Sequence, residues 1–385
     1  MTQNAVHPSQ ADHLPEFESL RGIAILLVFC FHYLGSLHGY QPFENLPAVV
    51  ALLFGGDAGV TLFFVLSGFL LSRPFLQGAP LRLGPYLLRR ALRILPMFYL
   101  LVLLAALWSG QWLQALGALF FQGVRVGVLS PMGNVWWSLV IEVQFYLLLP
   151  AVVWLVRHPG WRHVFWVLIP AASYAYFLIC ISGLDQGFWA DHRNSLLGRW
   201  PLFAVGAALA WVQLRFGPVL RCWGAQPWVG LLLVVMALLV LNQMAEFRGR
   251  QFGSYAHVFW YEHYLWDALA WSVFVFALLN FKFPGAGLFV NPVLHRLGLW
   301  SYSFYLLHSS VIFFLLKSNS VLRLPWHPVG WGEELLFGIG ILLVAVALSA
   351  CTYRYIELPF LRLKALSWKQ ARQPNSESPA DNLRM

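Results

Sequence analysis

The stretch Leu20–Leu34, LRGIAILLVFCFHYL, is apolar along nearly its whole length, yet it carries an arginine at Arg21 and an imidazole at His32. With the residues that follow, to about 38, it is long enough to cross a bilayer as a helix. The composition agrees: the 385 residues are 59% hydrophobic and 11% charged, with 31 Phe and 19 Trp. An ordinary soluble domain carries about 25% charged residues. The first fifteen residues are polar and lack the basic region of a signal peptide, so this helix is expected to be retained rather than cleaved. The four cysteines, Cys30, Cys180, Cys222 and Cys351, mostly fall in or beside apolar segments and form no CxxC pair. Neither a disulfide framework nor a metal site is expected.

Apolar stretches of about 17 to 25 residues mark ten candidate spans, near 20–38, 58–76, 94–113, 136–156, 162–182, 196–214, 228–245, 265–281, 298–316 and 335–356. The fold expected is therefore all-α, a multi-pass integral membrane protein. On a soluble protein a net charge of +9 would point to nucleic acid; here the placement of the charges matters more. With the N-terminus inside, 17 of the 25 Lys and Arg residues fall on the inner face and 7 on the outer, Arg21 lying at the boundary. That asymmetry places both termini in the cytoplasm and makes the lipid bilayer, not nucleic acid, the partner. No internal repeat is visible. The chain divides into a tail at 1–16, a membrane domain at 17–362 and a polar, proline-containing tail at 363–385 expected to be disordered. The excursion from Glu246 to Asp267 contains SYAHVFWYEHYLW. It reads either as an interfacial aromatic belt or as a mouth where sugar rings stack.

Helical geometry sets the depths of the buried polar groups. At about 1.5 Å per residue, His32 lies roughly 16 Å beyond Arg21 and on nearly the same face. That puts it near mid-membrane. Glu142 in the fourth span, His308 in the ninth and Ser67 in the second come out at middle depths too. An ionisable group there costs a few kcal/mol unless it is paired or faces a cavity, so such groups are functional candidates. The competing reading is that a lone histidine bridges two helices by a hydrogen bond. Arg89, Arg90 and Arg93, in YLLRRALRILPMFY, cluster at the start of the third span. Three guanidinium groups near a helix N-terminus suit phosphate binding; they also serve as topogenic positive charges.

The segments FESLRGIAILLVFCFHY, GVTLFFVLSGFLLSRPF, LRRALRILPMFYL, VWWSLVIEVQFYLLLP, RLGLWSYSFYLLHS and YRYIELPF occur in this order. Together they resemble the membrane-bound acyltransferase family 3, which includes sugar, lipopolysaccharide, peptidoglycan and macrolide O-acylating enzymes. The resemblance covers residues 17 to 362. It implies transfer of an acyl group, usually acetyl from acetyl-CoA or another acyl-CoA, to a hydroxyl on a carbohydrate, glycolipid or similar acceptor, at the bacterial inner membrane. It implies that Arg21, His32, Arg89, Arg90 and Arg93 are essential and that Glu142 belongs to the same site. Thr61 departs from the pattern, since the position before LFF is often acidic in relatives. Many relatives also carry a C-terminal esterase-like domain, which is not expected here.

Acyl transfer to an alcohol needs a base, a donor for the developing oxyanion and a hold on the acyl carrier. His32 is expected as the base, with Glu142 orienting it or balancing its charge. Arg21, Arg89, Arg90 and Arg93 are expected to hold the phosphates of the coenzyme. His308 with Tyr305 is expected to contact the acceptor or donate to the oxyanion, and Ser67 and Arg199 to border the substrate. LSGFL around Ser67 lacks the GxSxG surround of a nucleophile and reads as a small-residue packing site. Arg354 and Glu357 are expected to pair or to close the cytoplasmic mouth. A proton-coupled transporter using the mid-membrane His and Glu is the competing class.

Overall fold

A computed structural model describes residues 15–38, 51–181, 192–223, 226–251, 259–317 and 330–363. The tails at 1–14 and 364–385, and residues 252–258 of the aromatic excursion, lie outside the described residues. Every regular element among them is helical: α1 (Pro15–His38), α2 (Ala51–Phe54), α3 (Ala58–Leu76), α4 (Leu83–Ser109), α5 (Trp112–Leu119), α6 (Trp136–Arg157), α7 (Arg162–Ile181), α8 (Leu196–Trp223), α9 (Pro227–Gln251), α10 (Phe259–Asn280), α11 (Ala286–Phe289), α12 (Pro292–Leu299), α13 (Ser301–Ile312) and α14 (Trp331–Thr352). Two π-helical turns, Phe313–Lys317 and Tyr353–Glu357, extend α13 and α14.

Seven of these helices are long and apolar enough to cross a membrane, and eight if the bent pair Ala286–Leu299 and Ser301–Leu316 counts as one crossing. The chain is a multi-pass membrane protein. The ten expected spans are met only in part, for physical reasons. In α8, Arg199, Gln213 and Arg215 dilute the apolar character. The expected ninth span, 298–316, starts at a break near Trp300, where Ser301–Leu316 meets the preceding Ala286–Leu299 at 73°. Asn291 caps α12, in the half that precedes the break: its Oδ1 accepts from the N–H of Val293 (3.0 Å) and Leu294 (2.9 Å).

The outer helices show what surrounds them. On α7, Trp166, Val167 and Tyr174 are each more than 60% exposed. In hydrocarbon such a face costs nothing. The interior is built from α1, α3, α8, α9 and α10, where Leu20, Phe69, Ala210, Leu241, Trp271 and Phe274 are buried in one cluster. The Trp271 indole donates to the Ala58 carbonyl at 2.9 Å and ties α10 to the start of α3. Arg157 at the end of α6 donates to the carbonyls of Phe75 (2.7 Å) and Ala79 (2.8 Å), capping α3 from outside.

Lipid supplies no hydrophobic drive between apolar helices, so close backbone approach at small residues has to hold them together. A Cβ on Gly22 would stand 2.3 Å from the Leu294 carbonyl oxygen, and one on Gly298 would stand 1.8 Å from that of Glu18. The crossing of α1 and α12 therefore requires glycine on both sides. The α3–α8 crossing repeats the device, with Gly68 against Phe203 and Gly206 against Val65. Gly68 confirms LSGFL as a packing site. Gly298→Leu should force α1 and α12 apart, and overpacking of this kind typically costs about 1–3 kcal/mol. The expected result is loss of the monodisperse peak and a lower unfolding temperature in detergent. Gly340→Ala, where an added Cβ meets nothing within 4 Å, should leave both unchanged.

Candidate active site

Five helices meet around an internal cavity of about 240 Å³. Arg21 comes from α1, Ser67 from α3, Arg90 and Arg93 from α4, Glu142 from α6 and Tyr305 from α13. The apolar wall is Val60, Phe63, Phe64, Leu70 and Leu71 of α3 with Ile94 and Leu139. One side of the space is thus polar and ionised, the other aliphatic and aromatic.

Glu142 is the centre of the polar side. Its Oε1 accepts from Ser67 Oγ at 3.0 Å and from the Tyr146 hydroxyl in a short hydrogen bond. Ser138, Glu142 and Tyr146 are spaced at four-residue intervals, so they form one stripe along α6. That stripe was readable from the sequence, yet only Glu142 attracts notice there. Ser138 and Tyr305 share a 2.7 Å hydrogen bond between hydroxyls, and Tyr305 also donates to the Val135 carbonyl at 3.1 Å. Tyr302 donates to the Ile94 carbonyl at 2.7 Å and fixes α13 against α4.

The arginines are not equivalent. Arg21 pairs with Glu18 at 2.7 Å, one helical turn before it, an i,i+3 partner that the sequence also contains. Arg93 lies within electrostatic reach of Glu18, Glu142 and Glu357. Glu357, buried in the π-helical turn, accepts a short hydrogen bond from Ser303, whereas Arg354 lies 5.9 Å from the Tyr355 ring centroid. The expected Arg354–Glu357 pair is thus replaced by a contact that ties α14 to α13. The π-helical turn changes which residues share a face, which the sequence does not reveal. Arg90 differs from the other two lining arginines. Its guanidinium lies between the rings of Tyr86 (5.8 Å) and Tyr146 (5.4 Å), and its Nε has no hydrogen-bond partner among the described residues. Arg89 does not line the cavity.

The mid-depth groups therefore form two pairs. Ser67 and Glu142 share the cavity; His32 of α1 faces His308 of α13, with ring centroids 5.1 Å apart. Neither histidine lines the cavity. Tyr305 stands between the two: its hydroxyl borders the cavity and its ring lies 5.7 Å from that of His308. Arg199 belongs to neither pair. It is 5% exposed, lies 3.5 Å from the Tyr264 ring centroid and 5.8 Å from that of Trp137, and donates to Asn194 Oδ1 at 3.3 Å.

A carboxyl group bonded to two hydroxyls, an arginine whose Nε has no hydrogen-bond partner among the described residues and an imidazole pair one side chain away form a group that can hold an anion and move a proton. The comparisons with known proteins point the same way. A provisionally named O-acetyltransferase of Staphylococcus aureus (strain MRSA252) is 25% identical over 413 residues, covering 94% of this chain and 60% of that protein. The peptidoglycan O-acetyltransferase OatA of Listeria monocytogenes is 26% identical over 166 residues, 36% of this chain and 24% of that one. A provisionally named membrane-bound transacylase, BcsY of Komagataeibacter xylinus, is 26% identical over 220 residues, covering 52% of this chain and 51% of that protein. The chain spans 60% of the length of its staphylococcal relative. No solved structure matches it. The acyltransferase domain of family 3 matches residues 14–354, nearly the whole described core, and the chain belongs to that family.

Proposed function

We propose that this protein moves an acyl group, acetyl in the simplest case, from an acyl-CoA to a hydroxyl of a carbohydrate or glycolipid acceptor. The observation that carries this reading is the composite cavity. Glu142, Ser67 and Tyr146 meet Arg90, Arg93 and Arg21 in a space of about 240 Å³ with one apolar wall. A space of that size suits an acyl thioester and part of its arm, while the phosphates of the carrier stay with the arginines. Family membership and the relatives named as O-acetyltransferases support the reaction class.

The chemistry divides among the residues as follows. The acceptor hydroxyl attacks the thioester carbon, its O–H proton passes to His32, and the thiolate that leaves takes that proton back. Arg90 holds a carrier phosphate: its Nε is unsatisfied among the described residues, and the nearby Tyr86 and Tyr146 rings do not neutralise its charge. Arg21 and Arg93, balanced by glutamates, position the rim of the site. Glu142 keeps Ser67 and Tyr146 oriented and offsets the arginine charge.

Removing a general base typically costs about 10²–10⁴-fold in rate. Acetate incorporation from labelled acetyl-CoA in membranes carrying His32→Ala should fall by that range, with the protein inserted and monodisperse. A full rate in this variant would exclude His32 as the base.

Arg90→Ala should weaken acetyl-CoA binding, measured by calorimetry on the purified protein, by about tenfold or more, the value of one charge-assisted contact. Unchanged affinity, or no binding by the parent protein, would point to another donor. It would also restore the transporter alternative.

A further inference from the structure

Arg199 lies where three helices begin. It is the fourth residue of α8; Trp137, whose ring centroid is 5.8 Å away, is the second residue of α6, and Tyr264, at 3.5 Å, belongs to the second turn of α10. The side chain is 5% exposed. A guanidinium has five N–H donors, and among the described residues those of Arg199 find one acceptor, Asn194 Oδ1 at 3.3 Å. Its Nε has none there. No ion pair among the described residues includes it: Asp267, one turn beyond Tyr264, is buried but forms none with it. The first N–H groups of α8 are already taken, that of Leu196 by Gln144 Oε1 (2.9 Å) and that of Leu197 by Ser195 Oγ (3.2 Å). The unmet demand is therefore the guanidinium's, not the helix end's.

A buried charge without a counter-charge is strongly unfavourable, and a cation in the first turn of a helix also faces the positive end of its dipole. Two ring faces recover part of that cost. A negative group from outside the chain would supply the rest. Asn194 is exposed and its hydrogen bond is long, so an anion with two oxygens can take its place on the planar fork. The position of Arg199 says which ligand brings that anion. Along α6, Trp137 and Tyr146 are separated by about 14 Å of helix axis, and the cavity residues Ser138 and Glu142 stand between them. Arg90, near Tyr146, and Arg199, near Trp137, thus mark opposite ends of that stretch. Arg199 itself stands outside the cavity wall. Phe64 of the wall touches Phe203, one turn beyond Arg199, with ring centroids 4.8 Å apart. We propose that Arg199 binds the anionic group of the acceptor, a phosphate or carboxylate that the glycan carries away from the hydroxyl entering the cavity. Carrier phosphates at Arg90 and the acceptor's acid group at Arg199 then approach from opposite ends and do not compete for one cation. This rests on the acyl-transfer reading above.

The test measures binding of glucose 6-phosphate, glucuronate and glucose to the full chain in lipid nanodiscs by calorimetry. The parent should bind at least one of the two acidic sugars about tenfold or more tighter than glucose, the value of one charge-assisted contact. A preference for glucose 6-phosphate assigns the site to phosphate, and one for glucuronate assigns it to carboxylate. Arg199→Gln should bring the three affinities together, and Arg90→Ala should leave the preference as it is in the parent. Equal affinities in the parent, a preference that survives Arg199→Gln, or one that is lost in Arg90→Ala instead would overturn the proposal. Without ligand, Arg199→Gln should unfold no earlier than the parent, because it removes a buried charge that has no acid partner. Earlier unfolding with unchanged affinities assigns the arginine to packing alone and refutes the site. If Arg199→Gln does not fold, Arg199→Lys decides, since it keeps the charge and loses the fork: about tenfold weaker binding of the preferred acidic sugar supports the site, and unchanged affinity refutes it. If the parent transfers no acetate from acetyl-CoA, the acyl-transfer reading fails, while the binding measurements still decide whether Arg199 is an anion site.

Discussion

In a hydrocarbon layer a polar group cannot borrow a partner from solvent, so it must find one inside the protein, and this requirement organises the molecule. Glu142 is met by Ser67 and Tyr146, Glu357 by Ser303, Arg21 by Glu18. Ser67–Glu142 and Ser303–Glu357 join helices distant in sequence, whereas Tyr146–Glu142 and Glu18–Arg21 pair a turn apart on one helix. Breaking one partner of such a buried pair strands the other, which costs far more than the pair itself contributes. The polar network therefore specifies which helices adjoin, and the cavity is the space it encloses.

Apolar helices in lipid must approach to backbone contact before such short side chains can meet. Glycine provides this at the α1–α12 and α3–α8 crossings, where a single added carbon would overlap a carbonyl oxygen. These crossings set the height of Arg21 on α1 and of Ser67 on α3, each one residue from a packing glycine. Seating a polar residue beside a packing glycine lets one short motif serve both cohesion and chemistry. LRG at Leu20–Gly22 and LSG at Leu66–Gly68 are the two instances.

Charge compensation divides the arginines by task. Three glutamates stand near Arg21 and Arg93, which limits how much further anion those two can attract. Arg90, over the Tyr86 and Tyr146 rings, has no ion-pair partner among the described residues. Tyr305 then separates an ionised compartment from an imidazole pair enclosed by aromatic and aliphatic side chains.

The sequence by itself determined the class of the fold and most members of the site. Long apolar runs leave helices in a membrane as the solution, since each span must satisfy its own backbone hydrogen bonds. Arg21, Ser67, Arg90, Arg93, Glu142 and Tyr305 stand out because a polar residue in such a run is costly, and all six line one cavity. Tyr146 and Ser138 were legible only as a stripe read outward from Glu142. Tertiary structure alone decided the partners. Depth along a helix follows from a fixed rise per residue, but which faces meet depends on crossings between helices distant in sequence. Hence His32 stands opposite His308 rather than among the groups that line the cavity with Glu142, and Glu357 turns to Ser303 through a π-helical turn that no local spacing announces.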